Sequence, residues 1–569
     1  MRYTFPSYLQ EVFRPWGAQA QPVVVLPVPH RWLVLLLLGA VLFARQPLDF
    51  LTPQLNAEEG AIFFQEAYNQ GFFASFFSSE AGYYHLLLRL TAGLALLVPL
   101  ELVPFVFKIV SFAIQMLPVA YLLADGMPGF VATPLFRVAV AVLYVAGPNS
   151  SEIYVNANNS QWHLTLAACL ILLCGRRSGK VRNVLDTGVL ILFALSGPFS
   201  LICVPLALWR WWRDGGLGGQ GARNCGPIIV LLGAVVEAAY LFSGHRLGAG
   251  PEQFTGTSLM ETIRIVGLHG TFNSLLGMHF MWRHAAAFPN WAFVAAAAAI
   301  PLLGVAMLNL RKPALVVLGA LAASSVAVMF LFPLNDPRLW LNPAFGPRYF
   351  FFATIAILYT LLAMVERGGW SRRIAAPWLA VAMICGMRGD FSIPALPDSQ
   401  WQEQIAVFRT LPAGKKFYIP IHPHSDWGIT LVRKAGPKIP PPAMKLEVSK
   451  RPLLASLAPV MEVNPIAGER MVNFEGIAVD PTAGTAADGI TLVVDGRLFP
   501  AVTGIVSQQP RATNNDPVLL AARFSRLVPS REIGPGVHRV EVWAHGDSST
   551  RVQKSAPVYF LSTPTQGDL

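Results

Sequence analysis

The apolar residues of this chain gather into charge-poor runs near 31–45, 86–99, 104–124, 134–148, 161–175, 184–196, 198–212, 227–243, 286–310, 314–333, 349–365 and 374–387. Runs of that length with so little charge predict helices that sit in a bilayer. Several are nearer 14 than 20 residues, short enough to be tilted, broken or re-entrant. Gly197-Pro198 divides one long stretch, which predicts a tight turn at the bilayer surface. From about residue 400 the period changes. Apolar and polar residues alternate in KFYIPI, GITLVV, GVHRVEVWA and APVYFL, with turns at Asp495-Gly496, Pro535-Gly536 and Gly546-Asp547. The expected fold is a polytopic α-helical membrane protein followed by a small all-β sandwich.

Orientation follows from the positive residues between the runs. Arg176, Arg177, Lys180 and Arg182 form one cluster, Arg210, Arg213 and Arg223 a second, Arg311-Lys312 a third, and Arg367, Arg372 and Arg373 a fourth. Placing all four on the cytoplasmic side pairs the intervening runs and leaves the chain outside after 387. Twelve crossings would then carry Arg2, Arg14 and Arg31 outside, so one run must not cross. The weakest is 86–99, which holds Arg89 and Pro99 and is read as interfacial or re-entrant. About eleven transmembrane helices result, with the N-terminus cytoplasmic, a long first external loop at 46–103, and the C-terminal part external. The first run is followed by Gln46-Pro47-Leu48-Asp49 rather than a small-residue cleavage site, so it reads as an anchor.

Composition agrees. Of 569 residues, 54% are hydrophobic and only 13% charged, too few charges to cover a surface in water. The net charge of +11 does not indicate nucleic acid. From Arg388 onward 19 Lys and Arg face 16 Asp and Glu, and the rest of the surplus lies in short clusters between apolar runs. No basic stripe is interleaved with aromatics. The five cysteines lack the spacing of a disulfide framework or a zinc site. Gly216 to Gly221 matches a dinucleotide fingerprint as a string, but with no preceding strand.

Three segments carry candidate chemistry. The first is Asn56-Ala57-Glu58-Glu59-Gly60, which opens an acidic, aromatic stretch with nine Phe and Tyr and no basic residue between 58 and 84. Such a stretch suits helices lying in the membrane interface. A carboxylate there could accept a proton from a sugar hydroxyl or hold a divalent cation, Mg or Mn. The second is the loop 149–163, where Glu152, Asn156, Asn158, Asn159, Gln161, Trp162 and His163 offer the amides and aromatic faces that hold sugars. The third is Arg348, at the outer start of a run, where a planar guanidinium could grip a lipid phosphate. The external loop 244–285 adds His245, Arg246, Arg264, His269, His279, Arg283 and His284, a basic set suited to an anionic lipid-linked donor. Glu237 stands alone inside an apolar run, either as a functional carboxylate or as a partner for a neighbouring helix.

An acidic pair directly after the first span, opening a long, helical, aromatic external loop, resembles the GT-C superfamily of polyprenyl-phosphate-dependent glycosyltransferases. The resemblance covers the architecture of residues 30–390, although the family pattern is often Asp-Glu where this chain has Glu58-Glu59. Residues 473–545 resemble an Ig-like module appended to such proteins. The resemblance implies an inverting inner-membrane enzyme that moves a sugar from a polyprenyl-phosphate carrier to a periplasmic hydroxyl on a glycan, lipid or protein. It makes Glu58 or Glu59 the general base, with Arg348, Arg283 and His279 toward the donor phosphate. Glu152, Asn158, Asn159, Gln161, Trp162 and His163 would line the sugar or acceptor. The implied domains are 1–390 catalytic, 391–469 connecting, with a proline-rich linker at 435–452, and 470–569 β-sandwich. Two other readings stay open: a polymerase or ligase using lipid diphosphates, and a lipid-linked sugar flippase. The latter would favour inverted repeats, and none is visible.

Overall fold

A computed structural model describes residues 26–78, 82–124, 133–174, 179–216, 225–243, 258–310, 312–331 and 337–394, and most segments between 396 and 562 other than 436–446 and 504–522. Arg2, Arg14, Arg176, Arg177, Arg223, His245, Arg246 and Arg311 lie outside the described residues, as does most of the proline-rich linker. The chain divides into two compact units, each discontinuous in sequence. One comprises 1–47, 78–87 and 109–394, the other 48–77, 88–108 and 395–569.

The first unit is helical. Among the described residues of the chain, five helices are long and apolar enough to cross a membrane: Leu100–Leu123, Cys225–Ser243, Asn290–Leu310, Pro313–Phe330 and Pro347–Arg367. At 1.5 Å per residue, 18–24 residues approach the ~30 Å hydrocarbon thickness. Their lateral faces need lipid. Leu232, Leu302 and Phe242 are 62%, 70% and 80% exposed, which water would penalise. Pro347–Arg367 is largely enclosed by neighbours, whereas Asn290–Leu310 is mostly bare. The protein is therefore a membrane protein. Four apolar helices are shorter, Val28–Ala44, Leu86–Ala95, Pro134–Val145 and Ser160–Cys174. Leu86–Ala95, the run read as non-crossing, has ten residues, about half a bilayer. Ser160–Cys174 is apolar on every side because it is buried on nearly every side.

The Gly197-Pro198 turn forms as expected, between the Lys180–Ala194 helix and the short helices at Phe199–Ile202 and Val204–Arg213. Glu237, fully buried, fixes this turn to the segment after the first loop. Its carboxylate accepts from the backbone N–H of Tyr84 at 2.9 Å and of Gly197 at 3.4 Å. The carboxylate thus completes a backbone seam in which Leu86 N donates to Leu195 O and Leu87 N to Ser196 Oγ. Of the two readings of Glu237, this one is structural.

In the second unit, the first loop forms helical turns at Glu59–Phe64, Gln65–Gln70 and Phe72–Phe76, broken at Gly71. Its aromatics divide: Phe63 and Phe64 are buried, Phe73 and Phe77 are 84% and 70% exposed. Among the described residues the β-rich part is one connected 11-stranded sheet. Glu469–Asp480 pairs with Arg523–Pro529, and Gly536–His545 with Ile490–Val494. Arg497–Thr503 pairs with a strand of each group and joins them. The residues facing inward, including Val472, Phe474, Leu492, Phe524 and Val542, form its core. The Asp495-Gly496 turn has both residues at positive φ, as a two-residue hairpin demands. Strands already occur at Glu447–Val448, Leu454–Leu457 and Met461–Ile466, within the stretch expected to connect the domains. A separate hairpin pairs Lys416–Pro420 with Gly428–Val432.

Candidate functional site

In the helical unit the loop after Pro134–Val145 is not a floppy rim. Asn149 and Val155 adopt positive φ (55° and 33°), which costs a β-branched residue on the order of 1 kcal/mol or more. The loop holds that shape through bonds to Gln115 of a neighbouring helix and within itself. Val155 N donates to Gln115 Oε1 at 2.9 Å, and Ser150 Oγ to Gly147 O at 2.9 Å. The amides of Asn156 and Asn159 both donate to the carbonyl of Glu152, at 3.2 and 3.0 Å. Asn158 N donates to Asn156 Oδ1 at 2.9 Å.

This bracing presents the Glu152 carboxylate to Arg348. Arg348 Nη1 lies 2.7 Å from Glu152 Oε1, and Arg348 N donates to Glu152 Oε2 at 3.3 Å. The guanidinium also lies over the Tyr349 ring, 5.2 Å from its centroid. Two residues singled out for separate reasons, one for phosphate and one for sugar, therefore form an ion pair whose side chains are 32% and 28% exposed.

The other loop candidates differ in what they leave available. His163 is enclosed: one ring nitrogen meets Tyr144 Oη at 2.8 Å and the other the carbonyl of Ile153 at 3.1 Å. The expectation that His163 offers a nitrogen to sugar does not fit this saturation. Asn159 is likewise spent as a brace, and only 7% of it is exposed. Trp162 packs on Phe199, Phe352 and Tyr349, with its indole N–H unsatisfied among the described residues. Among the described residues the Gln161 Oε1 is also buried without a partner, facing Gly197, where an added Cβ would lie 1.8 Å from it.

His279 sits elsewhere in the same unit, against Asp390, which none of the sequence motifs singled out. The Asp390 carboxylate accepts from the backbone of Asn149 (2.9 Å), Met278 (2.7 Å) and His279 (3.0 Å), and lies 3.3 Å from His279 Nδ1. Beside it the buried Arg45 guanidinium donates to the carbonyls of Val145 and Asp390 and to Ser150 Oγ. Arg45 and Asp390 were legible only as charges at the two ends of apolar runs, the signal that could have found them. Arg283 is exposed at the end of the Met278–His284 helix. Arg264 lies over Phe293, 5.3 Å from its centroid, and His284 packs on Phe280. His269 is fully buried, stacked on Phe350, with Nε2 at 2.8 Å from the Trp340 carbonyl and Nδ1 at 3.2 Å from the Asn273 amide. Burial depresses its pKa to about 4, so the ring is neutral.

The acidic pair belongs to the other unit. Ala57 stands in the left-handed region at φ 48°, and Glu58 begins the helical turn that follows. Glu59 is fully buried and receives the backbone N–H of Asn56 at 3.1 Å, closing the turn on itself. Glu58 remains half-buried. Among the described residues no group of three or more His, Cys, Asp or Glu is disposed to hold a metal ion.

No known family matches the sequence, and no curated protein matches it. Among solved structures, the chain is similar to the Archaeoglobus fulgidus oligosaccharyltransferase, solved in complex with Zn and sulfate. The identity is 14% and the TM-score 0.34, over 66% of this chain and 55% of that one. The chain thus spans little more than half the length of that protein.

Proposed function

We propose that the protein is a GT-C-type glycosyltransferase of a bacterial inner membrane, drawing a polyprenyl-phosphate-linked sugar from the bilayer. In this reading it has eleven spans, a cytoplasmic N-terminus and a periplasmic β-rich part of Ig-like type. The observation that carries the reading is the Arg348–Glu152 pair. A cation at the start of an apolar helix is held in a fixed orientation by a carboxylate that braced amides deliver. A guanidinium oriented in that way receives a phosphate without first losing its own freedom.

In the reaction an acceptor hydroxyl oxygen attacks the anomeric carbon, and the bond from that carbon to the carrier phosphate oxygen breaks on the opposite face. The hydroxyl proton passes to Glu58, the lipid phosphate departs, and Arg348 stabilises the charge that grows on it. Glu58 rather than Glu59 takes the proton, because Glu59 is fully buried and committed to the Asn56 N–H. Asn158 and Gln161, the half-buried loop candidates, suit the sugar or acceptor, while Trp162, His163 and Asn159 shape the loop. Mass spectrometry of surface glycans from a deletion strain tests this. A missing sugar restored by the wild-type gene and not by Glu58→Gln supports the assignment. An unchanged glycan profile in the deletion strain refutes it.

A further inference from the structure

The hairpin Lys416–Val432 lies far beyond the apolar part of the sequence, yet within its unit it is the surface on which the acidic turn is built. Asn56 forms a parallel bridge with His422, and Ala57 N donates to His422 O at 2.6 Å. One residue later the chain must turn sharply, and Ala57 does so in the left-handed region that non-glycine residues avoid. Such a conformation persists where the surroundings impose it. Gly60 then packs so closely that a Cβ there would come within 2.6 Å of Ile429 and 2.8 Å of Ile421, both wholly buried.

The helix that continues from this turn is clamped to the same hairpin by two amides. Asn69 accepts from Val432 N at 2.9 Å and donates to Thr430 O at 2.7 Å, as a neighbouring strand would. Gln65 Oε1 accepts from Thr430 N. The exposed edge of Gly428–Val432 is thereby satisfied by side chains rather than by another strand. A buried polar relay backs the hairpin. Arg526 donates to Gln404 Oε1 and to Tyr418 O, Gln404 donates to Ser399 O, and Ser399 N donates to Gln54 Oε1, two residues before Asn56.

We propose that this hairpin is the positioning element of the acidic pair, with Gln65 and Asn69 as positioning residues that set Glu58 through the His422 bridge and the strained Ala57. The inference rests on the proposed function for its catalytic consequence, but not for its structural one. Neither amide touches substrate in this scheme.

The test uses the full-length protein in lipid nanodiscs, followed by hydrogen–deuterium exchange of residues 54–64. The same variants are expressed in the deletion strain for glycan analysis. Gln65→Met and Asn69→Leu remove the clamp while keeping side-chain bulk, and both should raise exchange at 54–64 about tenfold or more with Pro347–Arg367 unchanged. Gln65→Glu keeps an acceptor for Thr430 N and should hold both exchange and glycan near wild type, a rescue that bulk alone would not give. Glu58→Gln should abolish the glycan while leaving exchange as it is. Wild-type exchange in Gln65→Met and Asn69→Leu overturns the inference, as does failure of the Gln65→Glu rescue. If instead Glu58→Gln makes normal glycan while the clamp variants still exchange faster, the catalytic assignment fails and the positioning of the turn stands.

Discussion

Arg348→Ala separates binding of a phosphate from mere pairing. In the free protein the substitution strands Glu152, whose side chain is 28% exposed. Surface ion pairs contribute about 0–1 kcal/mol, and stranding a charge of a fully buried pair costs about 3–5 kcal/mol. Glu152 falls between these limits, and one of its oxygens keeps the backbone N–H of residue 348 at 3.3 Å whatever the side chain there. A loss near 1.5–2 kcal/mol follows, at the lower end for a hydrogen bond to a charged group. Adding Glu152→Gln removes the stranded charge while leaving an acceptor for that N–H, so the double variant should regain most of the lost thermal stability. If Arg348 binds the carrier phosphate, transfer should not return with it. The measurement is melting temperature in detergent beside glycan complementation for the two single variants and the double. Recovery of transfer in the double variant would show that Arg348 serves only to satisfy Glu152, and would move the phosphate site elsewhere, first to the exposed Arg283.

Other outcomes follow from the same structure. Gly197→Ala would drive a methyl into Gln161 at a residue whose φ of 112° already disfavours a side chain, and should lower expression and melting temperature by more than Gln161→Ala does. Glu59→Gln keeps the acceptor for Asn56 N and should retain transfer, whereas Glu58→Gln should lose about 10²- to 10⁴-fold in rate; equal losses would remove the distinction between the two. A periplasm-only reporter enzyme should be active when fused after residue 569 and silent at Gly179, and a full-length but silent terminal fusion would break the eleven-span topology. His269, held neutral with a pKa of about 4, binds no proton until the unfolded chain, near 6.5, has already done so. Its contribution is intact above pH 6.5 and declines toward pH 4 by up to about 3 kcal/mol, so His269→Gln should flatten the acid side of the melting-temperature profile.

The membrane class and the β-rich part were legible because both are written in periodicity: charge-poor runs for helices, alternation and Asp-Gly for strands. The length of each helix was not. The runs 161–175 and 134–148 look like crossings, yet the helices there have 15 and 12 residues. Hydropathy measures exclusion from water, and a helix buried in protein is excluded as thoroughly as one in lipid. Ser160–Cys174 is surrounded by neighbours, so its apolar character says nothing about its span. Assignment of residues to units was hidden for a related reason. The first loop and the hairpin at 416–432 are over 300 residues apart, and their union depends on side-chain amides completing a strand edge, as Asn69 and Gln65 do. No local pattern announces that use of an amide.

The Arg348–Glu152 pair was legible in its charges and its bracing illegible in its amides, and the reason is energetic. A charge at the rim of an apolar run must be compensated, so Arg348, Glu152 and the acidic pair stand out by their position along the chain alone. An asparagine in a polar loop carries no such obligation. It looks equally ready for a sugar or for the backbone beside it, and in this loop the backbone had the stronger claim. Asn149 and Val155 hold conformations that isolated residues avoid, and each strained turn needs bonds to keep it. The amides of Asn156 and Asn159 supply them at the Glu152 carbonyl, and the ring of His163 does so at Ile153. Asn159 and His163, expected to touch ligand, are thus spent on shaping the loop whose carboxylate faces Arg348. The half-buried side chains of Asn158 and Gln161 are what the loop still presents to a sugar.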